Sequence, residues 1–233
     1  MGCVAIIPAR GGSKRLPRKN VLPVLGKPML TYPIKAAQQS RLFDDIFVST
    51  EDSEIADVAN SCGAKVVQRP EHLAYDQATV VQVCLRVLEV LEAETRLPDI
   101  FCCVYATALF LQPDDLVKAY ELLNNPTSDF VMGVSEFNLK PLQALEPKGD
   151  FLQPMWPDHL KQQSQVMPRL LASNGTLYWA RVGAFREAES FYGERLKGYE
   201  IPWIRAIDLD TPEDLEIAQI LARRFLNGGN RFA

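Results

Sequence analysis

Two stretches carry side chains whose types and spacing could do chemistry. The first, "IPARGGSKRLPRKN" (7–20), sets Arg10, Lys14, Arg15, Arg18 and Lys19 beside Gly11 and Gly12. This concentration of cations stands out in a chain whose 25 Lys plus Arg are outnumbered by 29 Asp plus Glu, for a net charge of −4. Glycines let a backbone approach an anion and turn its N–H groups toward it. Lysine and arginine then neutralise the anion, arginine in a bidentate way. Neither G-x-G-x-x-G nor G-x-x-x-x-G-K-[ST] is present, which separates the loop from the dinucleotide-binding and P-loop classes. A short Lys/Arg run can also be a localisation signal or solvated surface. Its place directly after the apolar run "CVAIIPA" favours a phosphate site. The second stretch, "AIDLDTPEDLE", holds Asp208 and Asp210. If it is a strand, both carboxylates share one face. Two adjacent carboxylates repel unless a cation joins them, and Mg²⁺ takes one or two carboxylates plus substrate phosphate oxygens. The alternative is a solvated strand end leading into a helix. A phosphate loop and an acidic pair in one chain imply a nucleoside triphosphate with magnesium.

Alternating elements must position these groups. "CVAIIPA" (3–9), "DIFVST" (45–50), "KVVQR" (65–69), "IFCCVYATA" (100–108) and "DFVMGVSEF" (129–137) read as strands. Between them come helices over "MLTYPIKAAQQS", "EDSEIADVANSCG", residues 77–94 with Val80, Cys84, Val87, Leu88 and Leu91 on one face, and "PDDLVKAYELL". The alternation predicts an α/β fold, an open, mostly parallel, Rossmann-like sheet with helices on both faces. Ligands of such sheets bind beyond the carboxyl ends of the strands. The basic loop, "VST", Arg69 and "YATA" all fall on that edge. From 138 to 169 the rhythm breaks and prolines recur at 141, 147, 154, 157 and 168. An excursion packed against a partner subunit is expected there, anchored by Phe151, Met155 and Trp156. The sheet pattern resumes in "NGTLYWARVGAF" and "WIRAIDLD". A last helix starts with Thr211 as N-cap, Pro212 at N1 and Asp214 at N3. The 233 residues are expected to form one domain.

Composition narrows the class further. The acidic balance argues against a nucleic-acid binder. Five cysteines without a C-x-x-C spacing argue for a reducing compartment and no zinc site. His72 and His159 are isolated and read as solvated or structural. No apolar run is long enough to span a membrane, and the first strand lacks the flanks of a signal peptide. A cytoplasmic enzyme is expected.

"IPARGGSKRLPRKN" followed by "GKPML", then "VSTED" and "GAKVVQRPEHLAYD", resembles the acylneuraminate cytidylyltransferases, which activate nine-carbon sialic-type acids with CTP. "YATA" and "DLDTPEDLE" look more like the pseudaminic acid branch of that family. Sialic acid members usually show a "QPTSP" type stretch where "YATAL" stands. The related Kdo-activating enzymes read "ARYxSxRxPGKP" at the first loop, unlike the "GGSK" and "KN" here. The resemblance implies roles for particular residues. Ala9, Arg10, Gly11, Gly12, Ser13, Lys14, Lys19 and Asn20 belong to the CTP site, with the triphosphate held by Arg10, Ser13, Lys14 and Lys19. Arg69, Ala78 and Thr79 line the cytosine and ribose side. Tyr105, Thr107, Asn174 and Thr176 face the sugar acid, and Asp208 and Asp210 bind Mg²⁺. Arg10, Lys19, Asp208 and Asp210 are the catalytic candidates. The alternative for Tyr105 and Thr107 is ordinary strand composition, and Asn174-Gly175 could equally be a plain hairpin turn. The implied reaction is attack of a sugar hydroxyl on the α-phosphorus of CTP. Its general base is left open between an aspartate and a hydroxide at the metal. The resemblance also implies a homodimer, with 138–169 near the neighbour's sugar site. Rival readings are a legionaminic, sialic or Kdo-type cytidylyltransferase, transfer to a sugar 1-phosphate, and a non-catalytic nucleotide-binding protein.

Overall fold

A computed structural model describes residues 2–75, 77–160 and 167–226. The apolar run after the N-terminus forms β1 (Cys3–Pro8). The basic loop follows, and then a small hairpin of β2 (Pro23–Val24) and β3 (Lys27–Pro28). Next come α1 (Thr31–Ser40), β4 (Asp45–Thr50), α2 (Ser53–Ser61) and β5 (Lys65–Gln68). Helix α3 (Val80–Ala93) starts at a capping box between Thr79 and Gln82. It therefore begins three residues later than the expected Gln77, where the Thr79 hydroxyl accepts the Gln82 N–H at 3.2 Å. Strand β6 (Ile100–Val104), α4 (Pro113–Asn124) and β7 (Phe130–Glu136) complete the first part.

The excursion holds a second antiparallel hairpin, β8 (Leu145–Lys148) and β9 (Phe151–Pro154). Part of the excursion, 161–166, lies outside the described residues. The chain returns as β10 (Leu171–Arg181), α5 (Val182–Ala188), β11 (Leu196–Glu200) and α6 (Pro212–Phe225).

The main sheet has seven strands in the order β11-β7-β10-β6-β1-β4-β5. All neighbours are parallel except β10, which runs antiparallel to both β6 and β7. Strand β1 is buried on both faces, as its continuous apolar run requires. Ala5 and Ile7 pack with α1, α2 and α4, whereas Val4 and Ile6 pack with α3 and α5. A third cluster joins Val24, Met29, Leu109 and Phe110 to Leu209, Ala218 and Ala222. That cluster docks α6 and the residues before it beside the basic loop.

Two sequence readings need correction. "WIRAIDLD" is not a strand: Trp203–Arg205 is a single 3₁₀ turn and 207–210 is unpaired. The place beside β7 is taken by β11, and Arg205 is tied to Asp115 by Nη1 at 2.6 Å. Leu209 finds its burial in the third cluster instead of a ladder. Asn174-Gly175 is also not a hairpin turn. Gly175, at φ +66°, sits inside β10 where the register with β7 shifts between Ser173 and Tyr178. It is a bulge, which re-aims side chains within one strand.

Candidate active site

The carboxyl ends of β1, β4, β5 and β6 converge on one crevice. A cavity of about 240 Å³ is lined by Arg10, Lys19, Asn20, Arg69, Ala78, Tyr105 and Thr107, among others. Seven residues singled out in the sequence therefore meet in one place, although they come from three separate stretches. Tyr105 and Thr107 lie past the end of β6, so they are not ladder residues. Arg10 follows Ala9, whose N–H donates to the Ser49 carbonyl at 3.0 Å and so extends the β1–β4 pairing to the loop. Asn20 is buried and donates from Nδ2 to the Arg10 carbonyl at 2.9 Å, which pins the loop's two ends together. Ser13 folds back on Gly11 through an N–H to carbonyl bond of 3.0 Å.

The loop's glycine works differently from the anion-cradle expectation. The Gly11 N–H donates to Glu51 Oε1 at 2.7 Å, so this amide is engaged by the protein itself. Glycine is needed there because a Cβ would stand 2.4 Å from Asp52 Oδ2. Asp52 in turn caps α2 by accepting the Ile55 N–H at 3.0 Å, and it takes Arg18 Nη1 at 2.6 Å. Arg18 also pairs with Glu54. One cation of the basic run is thus spent on fastening the loop to α2.

Asp208 and Asp210 do not line the cavity; Asp210 adjoins it through Lys19, on a segment that is not a strand. Buried Leu209 points inward and the two acids flanking it point out. Lys19 Nζ lies 3.0 Å from Asp210 Oδ1, and Arg15 Nη2 lies 2.6 Å from Oδ2. Although Asp208 is exposed, the partial loss of water around its carboxyl, and then the charge of Asp210, raise it above its usual range, against the pull of Lys19 and Arg15. The two carboxylates therefore share one electrostatic field. The Thr211 hydroxyl, not Asp210, caps α6, within a capping box completed by Asp214.

Several expected residues stand apart from the cavity lining. Gly12, Ser13 and Lys14 lie on the loop's outer turn, and Thr79 is spent as the α3 cap. Asn174 and Thr176 bond to each other, Oγ1 to Oδ1 at 2.6 Å, above Gly133 of β7. Asn174 Nδ2 donates to Ser135 Oγ at 3.0 Å. They reach the cavity only through Tyr105, whose N–H donates to the Thr176 carbonyl at 3.0 Å and whose ring packs on Tyr178 at 5.3 Å. Among the described residues, no group of three or more His, Cys, Asp and Glu could hold a metal on its own. The five cysteines are free. No helix among the described residues is long and apolar enough to cross a membrane.

A mostly parallel sheet with a cation-rich loop and two acids at its carboxyl edge defines a nucleotide-handling α/β protein. The chain matches the cytidylyltransferase family over residues 4–146 and belongs to it. It is 35% identical to the pseudaminic acid cytidylyltransferase of Campylobacter jejuni, over 94% of this chain and 95% of that one. It is 34% identical to the CMP-N,N'-diacetyllegionaminic acid synthase of Legionella pneumophila, over 95% of this chain and 96% of that one. Among solved structures it is similar to CMP:2-keto-3-deoxy-manno-octonic acid synthetase complexed with CTP, at a TM-score of 0.72 and 19% identity, covering 96% of this chain and 99% of that one.

Proposed function

We propose that this cytidylyltransferase moves CMP from CTP to a nonulosonic acid, and that the acid is pseudaminic acid. The observation that carries the reading is the meeting of Arg10, Lys19, Asn20, Arg69, Tyr105 and Thr107 around one cavity, with Asp210 bonded to Lys19 at its edge. The relatives support the substrate class: two at 35% and 34% identity are pseudaminic acid cytidylyltransferases, beside a legionaminic acid synthase at 34%. Arg69 and Ala78 bound the base side, and Arg10 and Lys19 the phosphates. Tyr105 and Thr107 face the sugar acid. Asn174 and Thr176 set the position of Tyr105 from behind.

A sugar hydroxyl oxygen forms a bond to the α-phosphorus while the bond from that phosphorus to the bridging oxygen breaks. Pyrophosphate leaves, and the hydroxyl proton passes to a base. Catalysis of this kind is alignment plus stabilisation of developing charge. Lys19 and Arg10 meet the charge on the transferring and leaving phosphates. Asp208 and Asp210 fit magnesium: they are hard oxygen donors held in one field, and two carboxylates with substrate phosphates suffice for that ion. Bound there, it would neutralise phosphate charge and make the attacking hydroxyl more acidic. Arg15 is 71% exposed and free to exchange Asp210 for a phosphate.

We infer a cytoplasmic homodimer for the same protein. The segment 138–169 leaves Leu139 84% and Phe151 78% exposed, with Leu152, Met155 and Trp156 beside them. Such a cluster of large apolar side chains marks an interaction surface. Pyrophosphate release from CTP and Mg²⁺ across pseudaminic, legionaminic and sialic acids, Kdo and sugar 1-phosphates tests the reaction. Turnover with pseudaminic acid above the others is expected. Turnover with sugar 1-phosphates alone would overturn the reading.

A further inference from the structure

Glu51 stands just past the end of β4, between the ends of β1 and β5. In the sequence it reads as one of several acids opening α2, but its side chain turns the other way. Oε1 accepts the Gly11 N–H at 2.7 Å. Oε2 lies 3.9 Å from Nε of Arg69, and both atoms are buried without a hydrogen-bond partner.

Arg69 is held firmly. Its side chain is 4% exposed, its Nη2 donates to the Ser49 carbonyl at 2.8 Å and its own N–H donates to the Thr50 carbonyl at 2.9 Å. Burial and nearby Arg10 both work against its charge, and Glu51 supports it. A buried guanidinium stripped of its carboxylate is strongly disfavoured. Among the described residues, Glu51 is the carboxylate at ion-pair distance from it. Glu51 itself does not line the cavity, whereas Arg69 and Arg10 do.

We infer that Glu51 is a positioning residue for the nucleotide: one carboxylate ties Gly11, and with it the phosphate loop, to Arg69 on the base side. It thereby sets the spacing between the two halves of the nucleotide site. The inference rests on the CTP reading above. Glu51→Gln keeps an acceptor for Gly11 and nearly the same volume but removes the charge facing Arg69. Glu51→Asp keeps the charge but is one methylene too short to hold both partners.

Calorimetric titration with CTP and UTP, together with KM for CTP and for the sugar acid, tests it. In Glu51→Gln the CTP affinity falls by about tenfold or more, because the buried guanidinium on the base side loses the charge that faces it. The preference for CTP over UTP narrows, while KM for the sugar acid holds. Should Glu51→Gln fail to fold, Glu51→Asp carries the same expectation. Wild-type CTP affinity in either folded variant overturns the inference. So does an equal loss for CTP and the sugar acid, which marks general loosening rather than positioning. Wild-type protein that binds no CTP overturns the CTP reading, and the inference with it.

Discussion

At the carboxyl edge of the sheet, Asn20 and Arg69 are buried and tied to the backbone at Arg10 and Ser49. In the β8–β9 hairpin, Phe151 and Leu152 stand largely in solvent, and among the described residues the two strands pair with each other alone. The two regions invert the usual rule that polar groups face water and apolar groups face protein. The inversion has a different cause in each. Asn20 and Arg69 persist at the edge because each donates to a backbone carbonyl, of Arg10 and of Ser49, that the fold brings to it. The hairpin's apolar groups lack a cover among the described residues. At the edge the fold supplies the polar partners itself; on the homodimer reading proposed above, the hairpin is one half of a contact.

The largest effects should come from the acids at the edge. Asp208→Asn and Asp210→Asn should each lower kcat by at least about 10²- to 10³-fold, the scale of losing one dedicated charge stabiliser. Because α6 is capped by Thr211, Asp210→Asn leaves the helix start intact. A circular dichroism spectrum unchanged from wild type, beside a raised Mg²⁺ requirement, is the expected pattern. An unaltered Mg²⁺ titration for Asp210→Asn would remove that residue from the metal site. Next come the cations: Arg10→Ala or Lys19→Ala should lower kcat/KM by about 10²-fold, or ~2.7 kcal/mol. Wild-type kinetics in Arg10→Ala would return the loop to solvated surface.

The hairpin should behave in the opposite way. Replacing Phe151 and Leu152 together by serine removes apolar anchors from the surface but nothing from the core clusters. Stability of the fold should stay within about 0.5 kcal/mol of wild type, as for surface changes generally. Self-association should weaken by about 2 kcal/mol or more if these are central anchors. Sedimentation of both proteins across micromolar concentrations checks this. Wild-type protein that remains a monomer would break the comparison, since the hairpin would then need a different cover.

How much of this could be read in the sequence depends on what fixes each element. Strand β4 matches its expected limits, because a run buried on both faces is set by its own apolar residues. Strand β11 went unseen. It is a half-exposed edge strand containing Lys197 and Gly198, and its place depends on a backbone approach that leaves Val134 Cγ2 2.8 Å from where a Gly198 Cβ would stand. The acidic pair was placed on one side for the wrong local reason. No ladder aligns Asp208 with Asp210; the burial of Leu209 between them does. Arg10, Lys19 and Asn20 were legible because they are neighbours in one loop. Glu51 was not, because its role depends on Gly11 and Arg69 meeting it through space.

The smallest expected effect lies at the joint between the phosphate loop and α2. Asp52 caps α2 through Ile55, takes Arg18 and packs on Gly11, so it links the edge to the helix layer behind it. Asp52→Ala should cost about 1 kcal/mol, the usual value of an N-cap. Asp52→Asn keeps the cap and should cost only a few tenths near neutral pH. Their pH behaviour separates cap from charge. Partial burial pushes the Asp52 carboxyl up, but bonds from Arg18 and the Ile55 N–H outweigh it and hold the group below its ordinary value. A carboxyl with a lowered folded pKa contributes stability that is complete above the unfolded value, about 3.9, and is lost as pH falls through the folded one. The wild-type advantage over Asp52→Asn in urea unfolding should therefore be constant from neutral pH down to the ordinary carboxylate range and shrink below it. An advantage that stays flat through the acid range would assign the joint to the cap alone, with Arg18 contributing nothing to holding the loop.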